Sequence, residues 1–123
     1  MSDRPGDTEP AAVTIDRRIL DDALIIEVAG EIDLDSAPVL DAALTDALDR
    51  GSHRLYVVDL AEVEFIDSIG LSALLTAARH AQDTDGTLRV VVDANRPVIR
   101  PLEITGLDDV LSLHHTVDEA LGH

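Results

Sequence analysis

The chain has 123 residues and a mass of 13.2 kDa, enough for one domain around a single core and too little for two independent catalytic units. Its 25 acidic and 9 basic residues give a formal net charge of -16, which repels nucleic acid and anionic membrane at every approach. All nine basic residues are Arg and there is no Cys. The missing ammonium excludes a Walker phosphate loop, Schiff-base chemistry and the Lys-dependent aspartyl phosphoacceptor of receiver domains; the missing thiol excludes disulfides, thiolate nucleophiles and Cys-rich zinc sites.

Residues 1–12 carry Pro5, Gly6 and Pro10 among charged and small residues and read as a disordered lead, leaving residues 13–121 as the folded domain. The amino terminus has no apolar signal core and no apolar run approaches the roughly 20 residues of a membrane span, so the expectation is a cytoplasmic protein. Val13 to Leu20 alternates weakly and Ala23 to Gly30 is mostly apolar; with the Asp21-Asp22 turn between them they predict a hairpin. Asp35 or Ser36 is placed to cap a first helix that tolerates Pro38 in its first turn, turns Leu40, Leu44, Ala47 and Leu48 inward, and stops at Gly51.

Leu55 to Leu60 is a near-continuous apolar run, the composition of a strand covered on both faces. After a short loop, Asp67-Ser68 opens a second helix with Leu71, Leu74, Leu75, Ala78 and Ala81 inward. Asp85-Gly86 turns the chain into a strand at Leu88 to Val92, and Arg96-Pro97 begins a third helix that runs to Thr105 and stops at Gly106. Val110 to Leu113 and Thr116 to Leu121 predict a short last strand and a short last helix. The order ββαβαβαβα predicts an α/β fold: a mostly parallel, mixed sheet of about five strands with flanking helices. In such a sheet the loops at the carboxyl ends of the strands form the functional edge, here gathering Glu31, Asp33, Asp35, Asp67, Ser68, Asp93 and Asn95.

Most enzyme readings of that edge fail. A carboxylate pair for glycoside hydrolysis needs a cleft, usually aromatic-lined, and Tyr56 and Phe65 are the only aromatics. His114-His115 with His80 makes a poor metal site, because adjacent residues of a strand point to opposite faces; no metal and no cofactor is expected. No Ser lies in a Gly-x-Ser-x-Gly elbow, so no catalytic residue is assigned. The informative segment is Phe65-Ile66-Asp67-Ser68-Ile69-Gly70-Leu71, where Ser68 reads first as an N-cap and Gly70, costly inside a helix, points to a close backbone approach.

With Gly30-Glu31-Ile32-Asp33, Val58-Asp59-Leu60 and Ile104-Thr105-Gly106-Leu107 in the same order and spacing, that segment makes the chain resemble the STAS family, specifically its single-domain bacterial anti-sigma factor antagonists. The resemblance implies a partner that is an anti-sigma factor with serine kinase activity, a serine phosphatase to reverse it, no nucleic acid and no membrane. It makes Ser68 the phosphoacceptor, with Asp33, Asp35, Ser36, Asp67, Ile69, Gly70 and Leu71 forming the partner surface. Ile69 stands where the best-studied antagonists frequently carry Ser, and Ser36 and Ser72 rank behind Ser68 as modification sites. The alternative is a STAS adaptor subunit of a transport or multi-protein signalling assembly in which Ser68 is only a cap.

Overall fold

A computed structural model describes residues 13–50 and 53–122; the lead read at residues 1–12 and the helix stop at Gly51 lie outside the described residues. The elements are β1 (Val13–Leu20), β2 (Ala23–Ile32), α1 (Ala37–Arg50), β3 (Leu55–Ile66), α2 (Ser68–Asp83), β4 (Thr87–Val91), α3 (Arg96–Thr105), β5 (Ser112–His114) and α4 (Val117–Leu121), with a 3-10 turn at Leu107–Asp109. They form one five-stranded sheet whose spatial order is the chain order, β1-β2-β3-β4-β5, antiparallel between β1 and β2 and parallel thereafter. The β1–β2 hairpin turns on Asp21 and Asp22, both at positive φ (52° and 67°), a conformation that short polar side chains tolerate better than most.

Right-handed crossovers that always advance the same way along a sheet leave their helices on one face. Accordingly Leu40, Leu44, Ala47 and Leu48 of α1, Leu71, Leu74, Ala77 and Ala81 of α2, and Val98 and Leu102 of α3 share one core with Ile26, Val28, Tyr56, Val58 and Leu60 of the sheet. The opposite face carries a small second cluster of Ala23, Ile25, Val57 and Val91 under Ala120 of α4. β3 is therefore covered on both faces only over its first few residues; at Asp59 the uncovered face begins. The inward face of α2 is also rotated from the expected stripe, with Ala73 and Ala77 buried and Leu75 and Ala78 half-buried, because α2 packs against α1 as well as the sheet.

Two further boundaries differ from the sequence expectation. The last strand is Ser112–His114, since the 3-10 turn takes Leu107–Asp109 and leaves Val110 exposed. More consequentially, the segment read as a loop after Leu60 is strand as far as Ile66. The register explains the misreading. β3 pairs Glu27 with Asp59 but Ala29 with Glu62, and Gly30 with Val63 but Glu31 with Phe65, so it gains one extra residue twice. Each such bulge shifts the inward position by one, and the inward residues run Tyr56, Val58, Leu60, then Val63 and Ile66. A spacing of three does not look like a strand. Gly30, opposite the second bulge, takes φ 101°, a value open to Gly alone. Among the described residues no helix is long and apolar enough to cross a membrane.

Candidate functional site

The carboxyl ends of β2 and β3 are joined by a hydrogen bond from the Asp67 amide to the Ile32 carbonyl at 2.9 Å, which places the β2–α1 loop beside the start of α2. Asp67, and not Ser68, caps α2: its carboxylate accepts from the Gly70 amide at 2.9 Å and its carbonyl from the Leu71 amide at 3.0 Å. Ser68 is the first helical residue, exposed, and its hydroxyl makes no hydrogen bond to any described residue. The Ser68 and Ile69 amides, being first-turn donors, have no partner within the helix. The result is an unengaged hydroxyl at the positive end of a 16-residue helix.

Gly70 fixes the height of that helix over the sheet. A Cβ at this position would lie 2.6 Å from Ile32 Cγ2 and 2.8 Å from Ile66 Cγ1, so only Gly lets α2 settle onto the ends of β2 and β3. This is the close approach its place in the motif predicted. Leu71 is 5% exposed, and with Gly70 it supports the site from beneath instead of presenting a surface.

The neighbouring loop is built in the opposite way. Asp33 Oδ1 accepts from the amides of Asp35 at 3.1 Å and Ser36 at 3.0 Å, the pattern of a side chain mimicking a turn. The Ser36 hydroxyl accepts from the Asp33 amide at 2.9 Å and sends its proton to the Glu31 carbonyl at 2.7 Å, with Asp33 Oδ1 at 3.0 Å as alternative acceptor. The Ser36 amide, its hydroxyl and then the Asp35 amide hold the Asp33 carboxyl below its ordinary value. Ser36 is the one polar residue buried among the described residues, at 5% exposure. It stands next to Ala37 at the start of α1, but its hydroxyl ties the loop together and does not cap the helix. Asp35 is exposed and Asp33 half-buried.

Three exposed apolar side chains were left out of the partner surface expected from the sequence. Leu34 (67% exposed), Val39 (52%) and Phe65 (49%) join Ile69 (43%) as exposed large hydrophobics. Ile69 borders a groove of about 270 Å³ between α1 and α2 whose lining includes Ala37, Pro38, Ser72 and Ala73. Two of the missed residues left a trace in the sequence: Leu34 is an apolar residue wedged between two acids, and Val39 falls off the inward stripe of α1. Asn95 belongs to the same edge but is committed to the backbone of β3, donating to the carbonyls of Leu60 at 2.8 Å and Val63 at 2.7 Å. Of the histidines, His80 pairs with Asp49 at 3.2 Å and His114 with Ser112 at 2.9 Å. Among the described residues no three His, Asp or Glu side chains are placed to hold a metal ion.

A family profile described as "Mlab, STAS domain" matches residues 15–114. The chain belongs to the STAS domain family. Among STAS relatives, the anti-sigma-F factor antagonist RsfB of Mycobacterium tuberculosis is 30% identical over 112 residues, covering 91% of this chain and 89% of that protein. The anti-sigma-B factor antagonist of Bacillus subtilis is 29% identical over 101 residues, 82% of this chain and 90% of that one. The crystal structure of an anti-sigma factor antagonist from Mycobacterium paratuberculosis superposes with a TM-score of 0.83 at 32% identity, covering 92% of this chain and 94% of that chain. These STAS proteins are of single-domain size, as this chain is.

Proposed function

We propose that this STAS domain is an anti-sigma factor antagonist that binds an anti-sigma factor with serine kinase activity, frees a sigma factor, and is switched off when Ser68 is phosphorylated. The observation that carries the reading is the capping arrangement: Asp67 takes the capping role at α2, so the Ser68 hydroxyl is exposed and uncommitted at a helix amino terminus. Phe65 and Ile69, exposed on either side of Ser68 in the chain, and Leu34 on the adjoining β2–α1 loop supply apolar area of the kind a protein partner buries. Asp33, Asp35 and Asp67 give that surface its charge, while Ser36, Gly70 and Leu71 hold its shape.

A phosphate adds about -1.5 to -2 charges at the end of the helix dipole, where free amides can donate to it and the fold survives. At an interface the same group must be desolvated beside Asp67. Like charges about 6 Å apart cost ~3 kcal/mol per unit pair at an effective dielectric near 20, and half of that still lowers affinity by about tenfold. The switch therefore acts on binding with little change of backbone, and a serine phosphatase resets it. Nothing in this mechanism requires catalysis by the domain itself, a cofactor or nucleic acid, and it places the protein in the cytoplasm with its kinase.

The test is to mix the protein with the serine-kinase anti-sigma factor of the same cell and ATP, then locate the phosphate by mass spectrometry. Phosphate on Ser68 is expected; phosphate elsewhere, or none, overturns the reading. An adaptor role without phospho-switching draws support from a second exposed surface on α3, where Ile104 lies beside Arg100, which has no ion pair among the described residues. Recovery of transporter subunits in place of the kinase would favour it.

A further inference from the structure

Asn95 occupies the N-cap position of α3, and Asn is among the residue types that cap helices best, yet its side chain makes no capping hydrogen bond. It reaches across to β3 instead. Both amide protons are used, one on the Leu60 carbonyl at 2.8 Å and one on the Val63 carbonyl at 2.7 Å. Because both partners are acceptors, the nitrogen and not the oxygen of the amide must face them.

The place of these bonds gives them meaning. β4 pairs with β3 only from Leu55 to Asp59. Beyond Asp59 the strand keeps its β2 neighbour on one side, while on the other it has lost its ladder in the stretch that carries two bulges. Leu60 lies within the first bulge and Val63 between the two, and the Asn95 amide takes over where β4 stops. From Val63 the chain runs through Glu64, Phe65 and Ile66 and, without an intervening loop, reaches Asp67 and Ser68. The bulges set how far the end of β3 advances and which way it faces, so a residue that fixes them fixes the Asp67 cap and the serine after it.

We propose that Asn95 is a positioning residue for the Ser68 site, holding the doubly bulged end of β3 in the register that lets Asp67 cap α2 and leaves the Ser68 hydroxyl free. The proposal rests on the reading of Ser68 as phosphoacceptor for its functional consequence, but its structural claim can be judged separately. α3 gives up a cap of its own to supply this support from another part of the chain.

In the wild-type protein, NMR should find both Asn95 side-chain amide protons protected from exchange by about 100-fold or more relative to an exposed Asn; unprotected protons overturn the proposal whether or not any variant folds. Asn95→Asp keeps the size and an oxygen able to cap α3, but ionised it has no proton to donate. With this variant the Gly70 amide, which donates to Asp67, should shift and exchange at least tenfold faster while the amides of β1 and of the amino-terminal half of β2 are unchanged. With the serine-kinase anti-sigma factor and ATP, kcat for Ser68 phosphorylation should fall tenfold or more and KM stay within about threefold. A residue that merely stabilised the fold would lower the melting temperature and leave kcat of the folded protein intact. That result, or an unmoved Gly70 amide, sinks the proposal. If wild-type Ser68 is never phosphorylated the functional reading fails, and the exchange measurements still decide whether Asn95 positions the edge.

Discussion

Two corners containing an aspartate and a serine stand side by side at the carboxyl edge of the sheet, and they treat their hydroxyls oppositely. In the β2–α1 corner Asp33 and Ser36 satisfy each other and the Glu31 carbonyl, and the serine is buried. In the β3–α2 corner Asp67 turns forward to the Gly70 amide and leaves Ser68 exposed. Whether a serine is structural or available thus depends on what the neighbouring acid does with its oxygens. One corner is a lock and the other a presented group, separated by a single backbone hydrogen bond between Asp67 and Ile32.

The contrast breaks most visibly at Ser36. Ser36→Ala leaves the part-buried Asp33 amide and Glu31 carbonyl without their partner and should cost about 2 kcal/mol in urea unfolding, with Ser68 still open to phosphorylation. Gly70→Ala comes next: the overpacking against Ile32 and Ile66, partly offset by the better helix propensity of Ala, should cost about 1–2 kcal/mol. Asp67→Ala removes the cap of α2 for about 1 kcal/mol, and the Gly70 amide should lose its exchange protection. Ser68→Ala should change stability by less than about 0.5 kcal/mol, because its hydroxyl holds nothing. It should keep the partner bound in the presence of ATP, whereas Ser68→Glu binds at least severalfold more weakly, as titration calorimetry would show.

Acid should open the locked corner by a known route. Since the fold holds the Asp33 carboxyl below its ordinary value of 3.8, the ionised form is the one the native state favours. Its contribution to stability is complete at neutral pH and is lost as pH falls below about 4 and through the lowered pKa. An NMR titration should show the Ser36 amide shift following that protonation, with a midpoint under 3.8. A midpoint at or above it would mean that the turn is not held by the carboxylate.

How far the sequence foretold these corners depended on how local each determinant is. α3 was legible to the residue, Arg96 to Thr105, because Pro97 and Gly106 are punctuation written beside it. The inward stripe of α1 was legible for the same reason of short-range periodicity. The end of β3 was not: its bulges replace a period of two by steps of three at Leu60, Val63 and Ile66, and the residue that sustains them lies 32 positions away from Val63. Ser68 was singled out by its motif, but the motif does not say which residue of Asp-Ser is the cap. Asn95 stood out only as a polar residue at a strand end, since nothing local marks its partners.

The order of the strands has a consequence for how the protein is made. A sheet whose spatial order follows the chain can be laid down strand by strand as the polypeptide leaves the ribosome, each new strand joining the last one formed. By the time Asp83 has emerged, the serine, its capping acid and the locked loop beside it are all present. The tie from Asn95 arrives a dozen residues later, so a nascent chain would carry an unfinished edge for a short time. If Asn95 sets that edge and Ser68 is a phosphoacceptor, the domain becomes fit for a serine kinase only when most of its length has been synthesised, which protects it from engagement while incomplete.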